Sequence, residues 1–209
     1  MMPVEKGATL TNSVVVSVGY GWQKYDIAGK KLERNSVDND IFWKSLKFTK
    51  EDESVKASNG ELYNVEVKRL RSTHGCLVWD SIIDHIEKSD VLMFDVVDQP
   101  DWADEEIKKA VDSLCDGDDC SKIFNSFNSN VLIEIGVALA LRKELLLLCP
   151  EHLFDKLPSD VKGYCWSTYK FVWKDDEIKR EFIDARGFYP AYQSKIKRAA
   201  EAKAAASQN

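Results

Sequence analysis

Glu134 is the one ionisable residue in the run Val131–Leu141 (VLIEIGVALAL), and its neighbours on both sides are aliphatic. A carboxylate on a buried helix is costly unless it is paired or used. Desolvation is expected to raise its pKa, a property shared by many active-site carboxylates. Glu in a first helical turn often belongs to a capping box, but that needs Ser or Thr three residues earlier, and Val131 stands there. An interaction with the helix N-terminus, or an ion pair with Arg71 or Lys170, stays open beside a working role.

A second set of residues suits the holding of a nucleotide. Asp95 ends the strand-like run VLMFDVV, where an acid faces a ligand crevice or caps a turn. Asn130 lies four residues before Glu134, on the same helix face. Asn128 and Asn130 are each suited to N-capping, and either can also reach a ribose hydroxyl. Gly19 and Gly21 resemble a tight turn on the phosphate side, and Tyr20 and Trp22 can stack on a base or pack as core and rim aromatics. Lys24 stands where a dinucleotide fingerprint needs its third glycine, so a conventional Rossmann site is not expected. Arg71 can fork onto a phosphate or remain a solvated charge.

The surrounding elements must place these groups. Ser13–Val18, Val91–Val97 and Leu145–Cys149 read as buried strands, Leu62–Leu70 and Thr168–Trp173 as further strands. Leu77–Lys88 carries Ile82, Ile83 and Ile86 on one helical stripe with Val78. Val131–Leu141 is expected to be a helix buried on most sides. Asp38–Phe48, Asp104–Leu114, Asp175–Ile183 and Pro190–Ala206 read as helices, with the tail from Ala200 frayed or solvent-exposed. Strands alternating with helices indicate an α/β domain with a central parallel sheet. The organisation expected is an N-terminal tail (1–12), the α/β domain (13–174) with an insertion (98–127), and a C-terminal helical extension (175–209).

Composition narrows the classes. The chain has 209 residues, 44% hydrophobic and 31% charged, with a net charge of -6. These are globular values, and the acidic balance argues against direct nucleic-acid binding. No run approaches the roughly 20 apolar residues of a membrane span. No basic segment followed by an apolar core opens the chain, so a cytoplasmic protein is expected. The cysteines, Cys76, Cys115, Cys120, Cys149 and Cys165, lack the paired spacing of a zinc site. No metal and no cofactor are expected.

The runs Asp90–Asp95 and Asn128–Ala140 together resemble the TIR-like and nucleoside 2-deoxyribosyltransferase-like superfamily. Its members show a strand ending in Asp, then N-x-N-V-x-x-E-x-G-x-A-x-A, then a hydrophobic strand. The resemblance covers about residues 13–173. It implies a flavodoxin-like three-layer fold, with Glu134 as the catalytic carboxylate of an enzyme that cleaves an N-glycosidic bond and Asp95 as its assistant. The substrate would be NAD or another nucleotide or nucleoside, and the acid would attack or stabilise an oxocarbenium-like anomeric carbon. It also implies homo-oligomers or a partner protein in an anti-phage defence complex. The alternative is a nucleotide-sensing or partner-binding module without turnover.

Overall fold

The β-branched run of β1 (Ser13–Tyr20) suits a strand covered on both faces, and Val14, Val16 and Val18 are fully buried. The computed structural model describes residues 12–20, 26–27, 30–31, 54–70, 78–98, 100–101, 104–174, 177–183 and 188–207. A short pair, β2 (Asp26–Ile27) and β3 (Lys30–Lys31), stands apart from the main sheet. The sheet itself has seven strands in the order β4-β5-β1-β6-β7-β8-β9. They are β4 (Ser54–Lys56), β5 (Leu62–Arg69), β6 (Val91–Asp95), β7 (Glu144–Pro150), β8 (Trp166–Lys174) and β9 (Glu177–Phe182), around β1.

The five inner strands are parallel, and the edge strands β4 and β9 are antiparallel to their neighbours. Parallel neighbours need crossovers. Helix α1 (Val78–Lys88) joins β5 to β6, α2 (Glu105–Asp112) lies in the stretch after β6, and α3 (Ser129–Ala140) leads into β7. Two single turns, α4 (Glu151–Phe154) and α5 (Ser159–Lys162), lead to β8, and α6 (Phe188–Ala206) follows β9. Taken in chain order, the parallel strands lie second, first, third, fourth, fifth across the sheet. The order reverses between β1 and β6, and such a reversal opens a crevice at the strands' carboxyl ends.

The insertion is a closed excursion. Val97 bridges Phe127, and Asp98 donates its N–H to the Ser126 carbonyl (2.9 Å). Asn128 then donates its N–H to the Val96 carbonyl (2.8 Å), which returns the chain to the end of β6. Further out, Cys120 and Trp173 donate to Phe171 and Asp118 carbonyls, and Asp119 bridges Val172. The insertion thus takes up the part of β8 that extends past β7.

Three expectations change. Residues 177–182 form a strand rather than a helix. Ile178 and Arg180 are buried at alternate positions and pair with Trp173 and Phe171 of β8. The charges at Lys179 and Glu181 belong to the other face, and the buried Arg180 hides the period of two. The C-terminal helix does not fray at Ala200. Phe188, Tyr192, Ile196, Ala200 and Ala204, spaced four residues apart, form a ridge that is buried throughout. Lys195 to Glu144 (2.7 Å) and Lys203 to Asp90 (2.9 Å) tie it to the starts of β7 and β6. Finally, α3 is not covered on most sides: Ile133 is 49% exposed, and Gly136 and Ala140 are exposed too.

Helix α3 ends on an unusual residue. Arg142 has φ of 54°, the left-handed region that favours glycine. The N–H of Lys143 reaches the Ala138 carbonyl and that of Arg142 reaches Leu139, as in a Schellman-type end. Arg142→Gly is therefore expected to stabilise the fold by up to about 1 kcal/mol, read as a rise in the urea midpoint at unchanged slope.

Candidate functional site

The register of β1 and β6 assigns the two carboxylates to faces. Gly19 pairs with Phe94, and Tyr20 pairs with Asp95. A Cβ built on Gly19 would lie 2.6 Å from Glu134 Oε2 and 2.6 Å from Phe94 Cδ1. Gly19, Phe94 and Glu134 therefore share one face, the face on which α1 and α3 pack. Successive strand residues point to opposite faces, so Asp95 points to the other.

On that other face Asp95 is fully buried. It accepts hydrogen bonds from the Tyr169 hydroxyl (2.7 and 2.9 Å), from Arg180 Nε (3.0 Å) and from Arg180 Nη2 (2.8 Å). Phe171 stacks on Phe124 of the insertion, with ring centroids 3.8 Å apart, and Arg180 lies over the Tyr169 and Phe171 rings. The aromatic packing runs on through Phe182 and Phe188 to Tyr192 on α6. Asp95 was read as facing a ligand crevice or capping a turn; its Oδ1 accepts the Val97 N–H (3.3 Å), and it faces no open crevice. It is enclosed because its strand-end position is roofed by the insertion, β9 and α6.

Burial pushes the Asp95 carboxyl above the usual carboxylate range, and the Arg180 charge and Tyr169 hydroxyl pull it back. Tyr169 is held well above its ordinary value of 10.0 by burial first and by the Asp95 charge second. In the folded protein Tyr169 keeps its proton where an unfolded tyrosine loses it. Stability is therefore expected to fall as pH rises above about 10. Denaturant midpoints measured across that range should fall less steeply in Tyr169→Phe.

Glu134 itself is buried, with 8% exposure, on the inner side of α3. The helix starts close to the end of β6 because Asn128 caps it. Asn128 Oδ1 accepts the Val131 N–H (3.2 Å), and its Nδ2 donates to Asp98 Oδ1 (3.1 Å). Capping was one of the two roles open to Asn128. Asn130 is exposed in the first turn. Lys170, one of the cations considered for Glu134, pairs with Glu151 at 3.6 Å.

Gly19 is not in a turn: it belongs to the last pairs of β1 and is buried. The side chain of Tyr20, and Gly21, Trp22 and Arg71, lie outside the described residues, as does the segment 38–48 expected to be helical. The structure thus unites Glu134 with Gly19 and with Phe94, which the sequence reading had not singled out. It separates both from Asp95. Tyr169 and Arg180 were also missed. The alternation Ile178–Arg180–Phe182 was the signal for Arg180, but the charges between them obscured it.

Among the described residues, no three His, Cys, Asp or Glu side chains gather as a metal site. Cys115, Cys120, Cys149 and Cys165 are free, and burial pushes the Cys120 thiol up to about 12. No described helix is long and apolar enough to cross a membrane. Compared with protein-family models, with curated proteins and with solved structures, the chain finds no match.

Proposed function

We propose that this protein cleaves or transfers at the N-glycosidic bond of a nucleotide or nucleoside, with Glu134 as the carboxylate at the anomeric carbon. The observation that carries the reading is the seat of Glu134 against Gly19, beside the point where the strand order reverses. The order of the parallel strands is that of flavodoxin-like doubly wound sheets. It supports reading the domain as a flavodoxin-like three-layer fold with its ligand at that point. The motif resemblance around Glu134 supplies the reaction class.

The chemistry follows from one buried acid. Cleavage builds positive charge on the ribose ring, and a carboxylate beside C1 either stabilises that charge or bonds to the carbon and is later displaced. Asp95, held on the opposite face, acts in this reading through its neighbours, as a positioning group for the end of β6. With Asp95 turned away, protonation of the leaving base is not its task. That favours a base that departs without a proton, as a positively charged ring nitrogen does in NAD, over a neutral nucleoside. Asn130, and the Tyr20–Trp22 segment with Arg71, would hold the remainder of the nucleotide. A cytoplasmic setting and a role in anti-phage defence, in a homo-oligomer or with a partner protein, belong to the same reading.

The test is direct. Purified protein is incubated with NAD, nucleoside monophosphates and deoxynucleosides, and free base is followed by chromatography. Release from NAD ahead of the neutral nucleosides is expected. Calorimetric binding with no base released at any protein concentration would instead favour a nucleotide-sensing module, the second reading, for which the exposed Ile133 side of α3 offers a contact surface.

A further inference from the structure

Glycine inside a strand weakens it and calls for a local reason. Backbone conformation is not the reason at position 19. Among the described residues the positive-φ glycines are Gly60 and Gly117, whereas Gly19 lies in the extended backbone of β1. Space is the reason. A Cβ there would meet Glu134 Oε2 at 2.6 Å and Phe94 Cδ1 and Cε1 at 2.6 and 2.7 Å, distances at which something must move. By contrast, a Cβ on Gly136, in the same helix as Glu134, would meet nothing within 4 Å.

We propose that Gly19 and Phe94 are positioning residues that seat the Glu134 carboxylate, the missing side chain at position 19 fixing where that carboxylate stands. The inference rests on Glu134 as the working acid and reassigns Gly19 from holding substrate to holding the enzyme's own side chain. Phe94 is the register partner of Gly19, so its ring turns into the same space from the adjoining strand. Phe94 Cδ1 and Glu134 Oε2 each lie 2.6 Å from the point that a Gly19 Cβ would occupy, so ring and carboxylate flank the same space. Glu134 reaches that space from α3, and its Oε2 is buried there. A long, flexible side chain is thereby restricted before substrate arrives, which spares the ordering cost during the reaction.

The experiment is a double-variant cycle on the full chain, using Gly19→Ala, Glu134→Asp and both together, with Phe94→Leu as an independent arm. Thermal midpoints are read first, since they need no substrate. Gly19→Ala is expected to lower the midpoint clearly in the parent. It should lower it by a smaller amount in the Glu134→Asp background, where the shorter acid withdraws from the added methyl while the Phe94 contacts remain. If Gly19→Ala alone fails to fold, the paired variant is expected to fold. Equal losses in both backgrounds, or failure of both to fold, overturn the seating. Base release is read second. Phe94→Leu is expected to lower kcat about 100-fold while KM stays within about threefold, the pattern of a displaced reacting group. A change confined to KM also overturns the proposal. Coupled midpoints with no base released from any substrate would leave the seating standing and overturn the enzymatic reading alone.

Discussion

Glu134→Gln is expected to lower base release by about 10³-fold or more and to leave the fold at least as stable as the parent. The substitution keeps the size of the side chain and removes its charge. If the carboxylate meets developing positive charge at C1, its loss raises the barrier by about 4 kcal/mol or more, which is a thousandfold. The effect should fall on kcat and kcat/KM together, because the interaction is made in the transition state. Stability separates this role from a structural one. A buried acid kept for function is a cost to the fold, and neutralising it is expected to hold or raise the thermal midpoint. An acid serving as half of a structural ion pair behaves in the opposite way, since its removal strands a buried cation and costs about 3–5 kcal/mol. Parallel measurements of base release and midpoint on one protein preparation decide between them. Activity that survives the substitution would falsify the assignment of Glu134.

Arg180→Met is expected to be the most destabilising single change, at about 3–5 kcal/mol. Both side chains of the Arg180–Asp95 pair have 0% exposure, at 2.8 Å. Met fills much of the same volume but leaves the Asp95 carboxylate in a low-dielectric interior with Tyr169 as its remaining side-chain donor among the bonds described above. For a chain of this length the loss corresponds to a midpoint drop on the order of 10 °C. The pH dependence has a definite sign. Burial already raises the Asp95 pKa above its ordinary 3.8, and removing Arg180 takes away the largest opposing influence. Between the unfolded and folded pKa values the native protein holds a proton that the unfolded chain lacks. Stability therefore falls as pH rises through that window and is best retained below it. The damage should be mildest in acid. Asp95→Asn added to Arg180→Met removes the stranded charge and should recover part of the loss at neutral pH. Equal loss at acid and neutral pH would refute the account of a stranded carboxylate.

What was legible in the sequence depended on how local the physics was. The parallel core strands were readable because SVVVSV, VLMFD and LLLLC are continuous apolar runs, as strands covered on both faces must be. Helix α1 was readable from its stripe, and the start of α3 from asparagines that can cap it. Val97 bridges Phe127, so the chain leaves the end of β6 and returns to it, a long-range pairing that no local pattern shows. Strand β9 was misread because a buried Arg180 looks like a surface charge until its partner is known, and that partner lies 85 residues away. The tail of α6 from Ala200 was expected to be frayed or solvent-exposed because alanine and lysine signal no core by themselves. Tertiary packing makes the small alanines an asset, since they let the helix lie close to the sheet.

The sequence by itself determined that Glu134 is an acid in an apolar helix that begins beside the end of an Asp-terminated strand. Composition and periodicity act within a few residues, and that environment is written there. Which groups surround the acid was decided only by tertiary structure. The pairing of Gly19 with Phe94 sets the face on which Glu134 rests, and the same register sends Asp95, one residue further along, to the opposite side. A strand alternates at every residue, so two neighbours in sequence can serve different layers of the protein. No spacing rule along the chain reveals which layer each one meets.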